Sequence, residues 1–281
     1  MKYRSRILIA ITMLVLSSLS CRFLQSVVSE AMATETPPPA RNENPQPAET
    51  PQPTSATVPT AMTEIEPVIA TREYRDENPP QYGISINYPL LQGPDGPQAG
   101  NFNALAQGQV DTLIAEFQNG LAMDPIITPD ANAPTPQNFL TSDFEVLYNA
   151  HGLVSIHAEN SQYFYGAAHP LPFSSVINYS LPLQRELALA DLFQPGTDYL
   201  QSIADYCTNQ LKNDEWFMFS EGALPEEQNY QKWNITPEGL RITYDPYQVA
   251  AYAAGYVRVT VPWEELRVII AEDGPVGALV N

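Results

Sequence analysis

The sequence predicts an α+β fold: an antiparallel sheet packed with two main helices and a short C-terminal helix. Three observations carry this. Segments that alternate apolar and polar residues recur from Tyr82 to Val261, the signature of half-buried strands. Two longer stretches, 101–121 and 197–212, repeat their apolar residues at helical spacing. Runs of strands are broken by these two helices instead of alternating with them one for one, which separates α+β from a βαβ arrangement. With 281 residues, 44 % of them hydrophobic, the chain can bury a sizeable core in one or two domains.

The N-terminus reads as a targeting segment, residues 1–21. Lys2, Arg4 and Arg6 form a basic start, and Ile7 to Ser20 is an apolar run too short for a comfortable membrane span of about 20 residues. Cys21 follows the small Ser20. This resembles a bacterial lipoprotein signal, which makes Cys21 the expected lipidation site and places the chain on the extracytoplasmic face of a membrane. Leu19 sits one place closer to the cysteine than such signals usually have it, so secretion or an uncleaved anchor stays open. Residues 22–69 shift to Pro, Thr, Ala, Glu and Gln, with nine prolines between Ala31 and Ile69. No helical or strand period is visible there, and the stretch reads as a semi-extended disordered tether.

The folded region is expected from about Ala70, in two parts: a strand–helix part over 70–137 and a second part over 138–281. Tyr82 to Tyr88 alternates as a strand. In the helix Asn101 to Leu121, the residues Phe102, Leu105, Ala106, Val110, Leu113, Ile114, Phe117 and Leu121 keep to one stripe. Asp124 to Pro136, with four prolines, is a loop. Phe144–Tyr148, Leu153–Ala158, Gln162–Tyr165 and Ser174–Leu181 read as strands of a meander, with a hairpin turn at His151-Gly152. Tyr163 to Pro170 forms a corner in which Gly166 supplies a positive φ. Leu187 to Phe193 is a short helical turn. Thr197 is the expected cap of a helix to Lys212, with Leu200, Ile203, Ala204, Cys207 and Leu211 inside. Trp233–Ile235, Leu240–Tyr244 and Tyr256–Val261 are strands, and Trp263 to Ile270 a terminal helix.

Composition narrows the function classes. A net charge of −19 disfavours nucleic acid, whose phosphates need basic neutralisation. It favours a cationic partner, or simply keeps the chain soluble. His151, His157 and His169 have spacings that match no common metal site, so no metal or cofactor is expected. Ser174, Ser175 and Ser180 lie near His169 without a nucleophile elbow, and the acidic pairs Glu226-Glu227 and Glu264-Glu265 do not face one another on a helix. No catalytic residue is assigned, and the chain is not expected to be an enzyme. Cys207 lies on an apolar helix face and reads as a small buried hydrophobe. Fifteen tyrosines leave the aromatics as the better binding candidates.

Four blocks in order, Tyr163–Pro170, Leu189–Phe193, Ile235–Leu240 and Tyr247–Gly255, resemble the family listed as domain of unknown function 3298. That family includes the extracytoplasmic domain of RsiV-type lysozyme-sensing anti-sigma factors. The likeness runs over about Phe144 to Leu266, and the strand and helix before it resemble the companion domain of unknown function 4163. Ala167 stands at a usual glycine position of the corner, and Ala251 where a proline is common. Only six residues precede the apolar run, so a cytoplasmic sigma-binding segment is not expected, and the metal motifs of relatives with a deacetylase domain are missing. The resemblance implies a binding or sensing domain whose ligand is a lysozyme-type cationic protein or cell-wall peptidoglycan, with Tyr163, Tyr165, His169, Tyr247 and Tyr252 as binding residues. An accessory role in peptidoglycan modification, or a passive envelope lipoprotein, is the alternative.

Overall fold

In the computed structural model, the described residues are 68–92, 97–123 and 128–280. The signal segment, Cys21 and nearly all of the expected tether lie outside them; its last two positions, Val68 and Ile69, already belong to the first strand. Among these residues, nine strands form two sheets. The larger has the order β1 (Val68–Asn78), β2 (Tyr82–Gln92), β3 (Phe139–Ala150), β4 (Leu153–Tyr163), β5 (Leu171–Ser180) and β6 (Arg185–Glu186). The smaller is β7 (Trp233–Ile235), β8 (Gly239–Tyr244) and β9 (Val257–Pro262), all antiparallel. The α+β class holds. The sheet is not purely antiparallel, because β2 and β3 pair parallel over Gly83–Ile86 and Phe139–Ser142. The helix α1 (Pro97–Leu121) lies between them and carries the chain back, so the next strand enters in the same direction. The division at 137/138 therefore runs through one continuous sheet.

Strand alternation gives the larger sheet two buried faces. On one, Ile84, Ile86, Tyr88, Leu140, Val154, Ile156, Ile177 and Tyr179 pack with the α1 stripe of Phe102, Ala106, Val110, Ile114 and Phe117. Each fully buried phenylalanine there contributes about 2–3 kcal/mol. The opposite face of β4 and β5 meets the smaller sheet through a polar seam. The Ser155 hydroxyl donates to Asn178 Oδ1 (2.7 Å), Asn178 Nδ2 donates to the Trp233 carbonyl (2.7 Å), and Asn234 Nδ2 donates to the Ile156 carbonyl (2.9 Å). Through these bonds the buried amides fix how β7 seats on the sheet, although Asn234 Oδ1 has no hydrogen-bond partner among the described residues. Beyond the seam, β7–β9 and α2 (Tyr199–Leu211) enclose a second core around Ile203, Cys207, Ile235, Leu240, Ile242 and Val261.

Several boundaries differ from the sequence reading. Leu153–Ala158 and Gln162–Tyr165 are one strand, because Asn160 in the polar gap is buried and donates to the Ser175 hydroxyl (2.8 Å). Phe164 and Tyr165 lie beyond its end. Asp198, not Thr197, caps α2 by accepting from the Gln201 N–H (3.2 Å). The Thr197 hydroxyl instead donates to the Gln194 carbonyl (2.8 Å) and closes the preceding turn. The terminal helix α3 is one turn, Trp263–Leu266. Ile270 is drawn into a bridge with Phe193, with the Ala271 N–H donating to the Leu192 carbonyl (3.0 Å), so the helix cannot continue.

Candidate functional site

Two recognised blocks separated by some eighty residues come together. The corner after β4 turns as expected: Gly166 has φ 94° and the Ala167 N–H donates to the Phe164 carbonyl (2.9 Å). Phe164 folds back on α1, stacked on Phe117 at 5.3 Å. Gly120 near the end of α1 makes room for this contact: a Cβ on it would lie 2.5 Å from the Phe164 ring. The corner leads to His169 and Pro170, against which the β8–β9 connection packs.

His169, Tyr247 and Tyr252 form a stack of three rings. The His169 and Tyr252 centroids are 3.9 Å apart, Tyr247 and Tyr252 are 5.8 Å apart, and His169 and Tyr247 are 6.5 Å apart. The Pro170 carbonyl is the hub. It accepts from the Tyr252 hydroxyl (3.0 Å) and from His169 Nδ1 (2.8 Å). With its proton on Nδ1, a neutral ring leaves Nε2 to accept from the Tyr247 hydroxyl at 3.3 Å. His169 thus holds the corner through a backbone carbonyl and also joins it to a second loop. Tyr247 has φ 73°, a left-handed backbone that costs a non-glycine residue energy, and is 51 % exposed. The fold keeps a strained residue in order to set an aromatic ring outward.

Of the five expected binding residues, these three meet. Tyr163 and Tyr165 do not join the stack. Tyr163 ends β4, stacks on Phe139 at 5.4 Å and donates to the Ala167 carbonyl (3.3 Å). Tyr165 is half-buried, its N–H donating to Asn138 Oδ1 (2.8 Å). Both shape the corner.

The loop that carries Tyr247 and Tyr252 is pinned from below. Asp245 accepts from the Ser174 N–H (2.9 Å) and hydroxyl. Burial raises its carboxyl, and the two Ser174 bonds oppose this. Gln248 Nε2 donates to the Gly222 and Asn229 carbonyls (3.1 and 3.0 Å), and a Cβ at Gly222 would meet the Gln248 carbonyl at 2.0 Å. The Tyr247–Gly255 block, rich in small residues, thus lies against neighbouring backbone. Gly222 was not singled out from sequence; only a glycine between two irregular aromatic-rich turns marks it.

Toward the sheet seam lies a buried titratable group, His157, which in sequence reads only as a strand residue. His157 is 2 % exposed and edge-on to Tyr256 at 6.3 Å, and neither ring nitrogen has a hydrogen-bond partner among the described residues. Burial, then Arg258 and Arg241, push it down to about 4, while Glu145 and the Asn234 amide oppose. Arg258 pairs with Glu159 and lies over the Tyr256 ring at 5.2 Å. Cys207 is buried as expected, its thiol pushed up to about 11 by burial. Beyond Tyr252 an open groove of about 760 Å³ runs between α2 and β9, with Tyr206, Trp216, Met218 and Arg258 among its walls.

Comparison with known proteins agrees with the family read from the blocks. Residues 190–264 match the model of the family described as protein of unknown function (DUF3298), and residues 76–172 match that described as Deacetylase PdaC. The corner and the strand–helix part expected to resemble domain of unknown function 4163 fall in the second match. A curated relative, the peptidoglycan-N-acetylmuramic acid deacetylase PdaC of Bacillus subtilis (strain 168), is 26 % identical over 197 residues, which is 68 % of this chain and 40 % of the relative. The chain thus spans less than half of that enzyme's length. A solved DUF3298 family member from Bacteroides fragilis NCTC 9343 superposes with a TM-score of 0.56 at 15 % identity, covering 76 % of this chain and 97 % of its own. Another from Pseudomonas aeruginosa PAO1 gives 0.49 at 17 % identity over 73 % and 94 %. The Bacteroides likeness shows that the fold is shared.

Proposed function

We propose that this protein, with its DUF3298 and PdaC-like segments, is an extracytoplasmic binding domain anchored to the envelope, and that its ligand is cell-wall glycan received on the Tyr247–His169–Tyr252 stack. The observation that carries the reading is Tyr247, set outward on a left-handed backbone and backed by two further rings. An aromatic face held rigid costs little conformational entropy on binding and suits the apolar face of a sugar ring. The relative named as acting on peptidoglycan supports the ligand class. The basic start, the apolar run and Cys21 support the location. The role is binding and not catalysis: the shifted groups His157, Asp245 and Cys207 owe their shifts first to burial. A cationic, lysozyme-type protein is the second reading, favoured by the charge of −19.

Calorimetric titration of the full chain with muropeptides and, separately, with egg-white lysozyme at low and moderate salt tests both. Saturable binding of muropeptides, lost in Tyr247→Ala, supports the glycan reading. Salt-sensitive binding of lysozyme alone replaces it with the second. Silence toward both removes the two together and leaves a passive envelope domain.

A further inference from the structure

We propose that the free edge of β9 is a docking site for an extended, basic peptide segment of a partner protein, which adds to the smaller sheet as a fourth strand. This site is separate from the ring stack and stands on different observations.

Register fixes which backbone groups are free. The Thr243 N–H donates to the Lys232 carbonyl (2.8 Å) and the Thr236 N–H to the Gly239 carbonyl (3.0 Å), so the odd-numbered residues of β8 face β7. The even-numbered ones face β9, where Leu240, Ile242 and Tyr244 lie opposite Val261, Val259 and Val257. Arg258 and Thr260 therefore direct their N–H and C=O groups away from the sheet, where no backbone partner meets them among the described residues. They face the groove of about 760 Å³, whose other wall is Tyr206, Gln210 and Leu211 of α2 followed by Asp214, Trp216 and Met218. An unpaired strand edge facing a helix across an open groove is the arrangement in which peptides bind by strand addition.

Several other edges are satisfied, charged or covered. On β5 the Ser174 N–H is taken by Asp245 and the Val176 carbonyl by Gln109 Nε2 (3.2 Å). β1 carries Arg72, Glu73, Arg75, Asp76 and Glu77 along its length, the charged pattern that keeps an edge from pairing. β7 abuts the larger sheet, its Ile235 N–H donating to the Ser155 hydroxyl (3.0 Å).

The walls specify the occupant. Trp216 is 38 % and Met218 61 % exposed, an apolar surface for every second side chain of an added strand. Arg258 is committed to Glu159 and Tyr256. The Asp214 carboxylate makes no ion pair among the described residues, so the groove's uncommitted charge is negative, in keeping with the chain as a whole. A strand with alternating apolar residues and a lysine or arginine complements both.

The test is selection from a phage-displayed library of linear dodecapeptides on the full chain, followed by synthesis of the enriched sequence. Alternating apolar residues with a basic residue are expected. N-methylation of the synthetic peptide at alternate amides should weaken binding about tenfold at one parity and little at the other, because only every second N–H enters the ladder. Asp214→Asn should weaken it several-fold, and Thr260→Pro, which removes an edge donor, should abolish it. N-methylation leaves the protein untouched, so misfolding of a variant cannot mimic the result. No enriched family, or enriched peptides indifferent to N-methyl parity, would overturn the proposal. So would peptides lost in Tyr247→Ala and retained in Thr260→Pro.

Discussion

Asp245 and Ser174, 71 positions apart, are joined by two hydrogen bonds to one carboxylate oxygen, from the backbone N–H and from the hydroxyl. This single residue seals the edge of β5 and fixes the start of the loop that bears Tyr247 and Tyr252. Asp245→Ala leaves the buried Ser174 N–H without its acceptor. It should lower unfolding stability by about 1–3 kcal/mol, read as a shift of the urea midpoint at unchanged slope. Asp245→Asn keeps an acceptor oxygen and should retain most of the stability. Equal losses in the two variants would show that charge, and not the bond pair, is what matters.

Tyr247 separates stability from binding. Its φ of 73° is strain for tyrosine and none for glycine. Tyr247→Gly should leave the thermal midpoint unchanged or raise stability by up to about 1 kcal/mol. The same change removes the outer ring of the stack and should weaken muropeptide binding about tenfold or more. Calorimetry and thermal unfolding on one preparation check both. A variant that loses stability and binding together would make Tyr247 a structural residue.

How much of this was legible in the sequence depends on whether a residue's partner is local. The α1 stripe was legible because helical spacing records one face directly, and the corner because Gly166 sits where a positive φ is needed. β1 was missed: Arg72, Glu73, Arg75 and Glu77 give it no apolar period, and it is a strand because its backbone pairs with β2 from Val68↔Gln92 to Asn78↔Tyr82. The polar stretch Glu159-Asn160-Ser161 hid the continuity of β4, since its buried member is satisfied by Ser175 across the ladder. At the site, the blocks holding His169 and Tyr247 were each recognisable, but nothing in composition says that His169 and Tyr252 share a carbonyl hub at Pro170, or that Tyr247 reaches His169 across 78 positions. The buried state of His157 was likewise invisible, because it follows from how β8 and β9 seat on β4.

Gly222 should tolerate no side chain. A Cβ would fall 2.0 Å from the Gln248 carbonyl oxygen, a backbone atom that can yield only by moving the whole loop. Gly222→Ala is expected to cost more than about 2 kcal/mol and to loosen the segment from Asp245 to Gly255. Hydrogen exchange would report the second effect: faster exchange at the Met218 and Phe219 amides, which both donate to the Val249 carbonyl. Unchanged exchange there would mean that the loop is held independently of Gly222.

His157 gives the stability a specific pH dependence. The ring is neutral in the native state down to about 4, whereas in the unfolded chain it takes up a proton near 6.5. A depressed native value means that the full stability is present above pH 6.5 and declines as the pH falls toward 4, where the unfolded state binds a proton that the native state does not. The loss over that window amounts to about 3 kcal/mol at most. The carboxylates contribute their own slope, so the useful quantity is a difference: urea midpoints at pH 7 and pH 4.5 for the natural chain and for His157→Gln. The variant should lose less between the two pH values than the natural chain does, even if it starts from lower stability. Equal losses would mean that His157 takes up its proton without penalty, with Glu145 and Glu159 offsetting Arg241 and Arg258 across the seam.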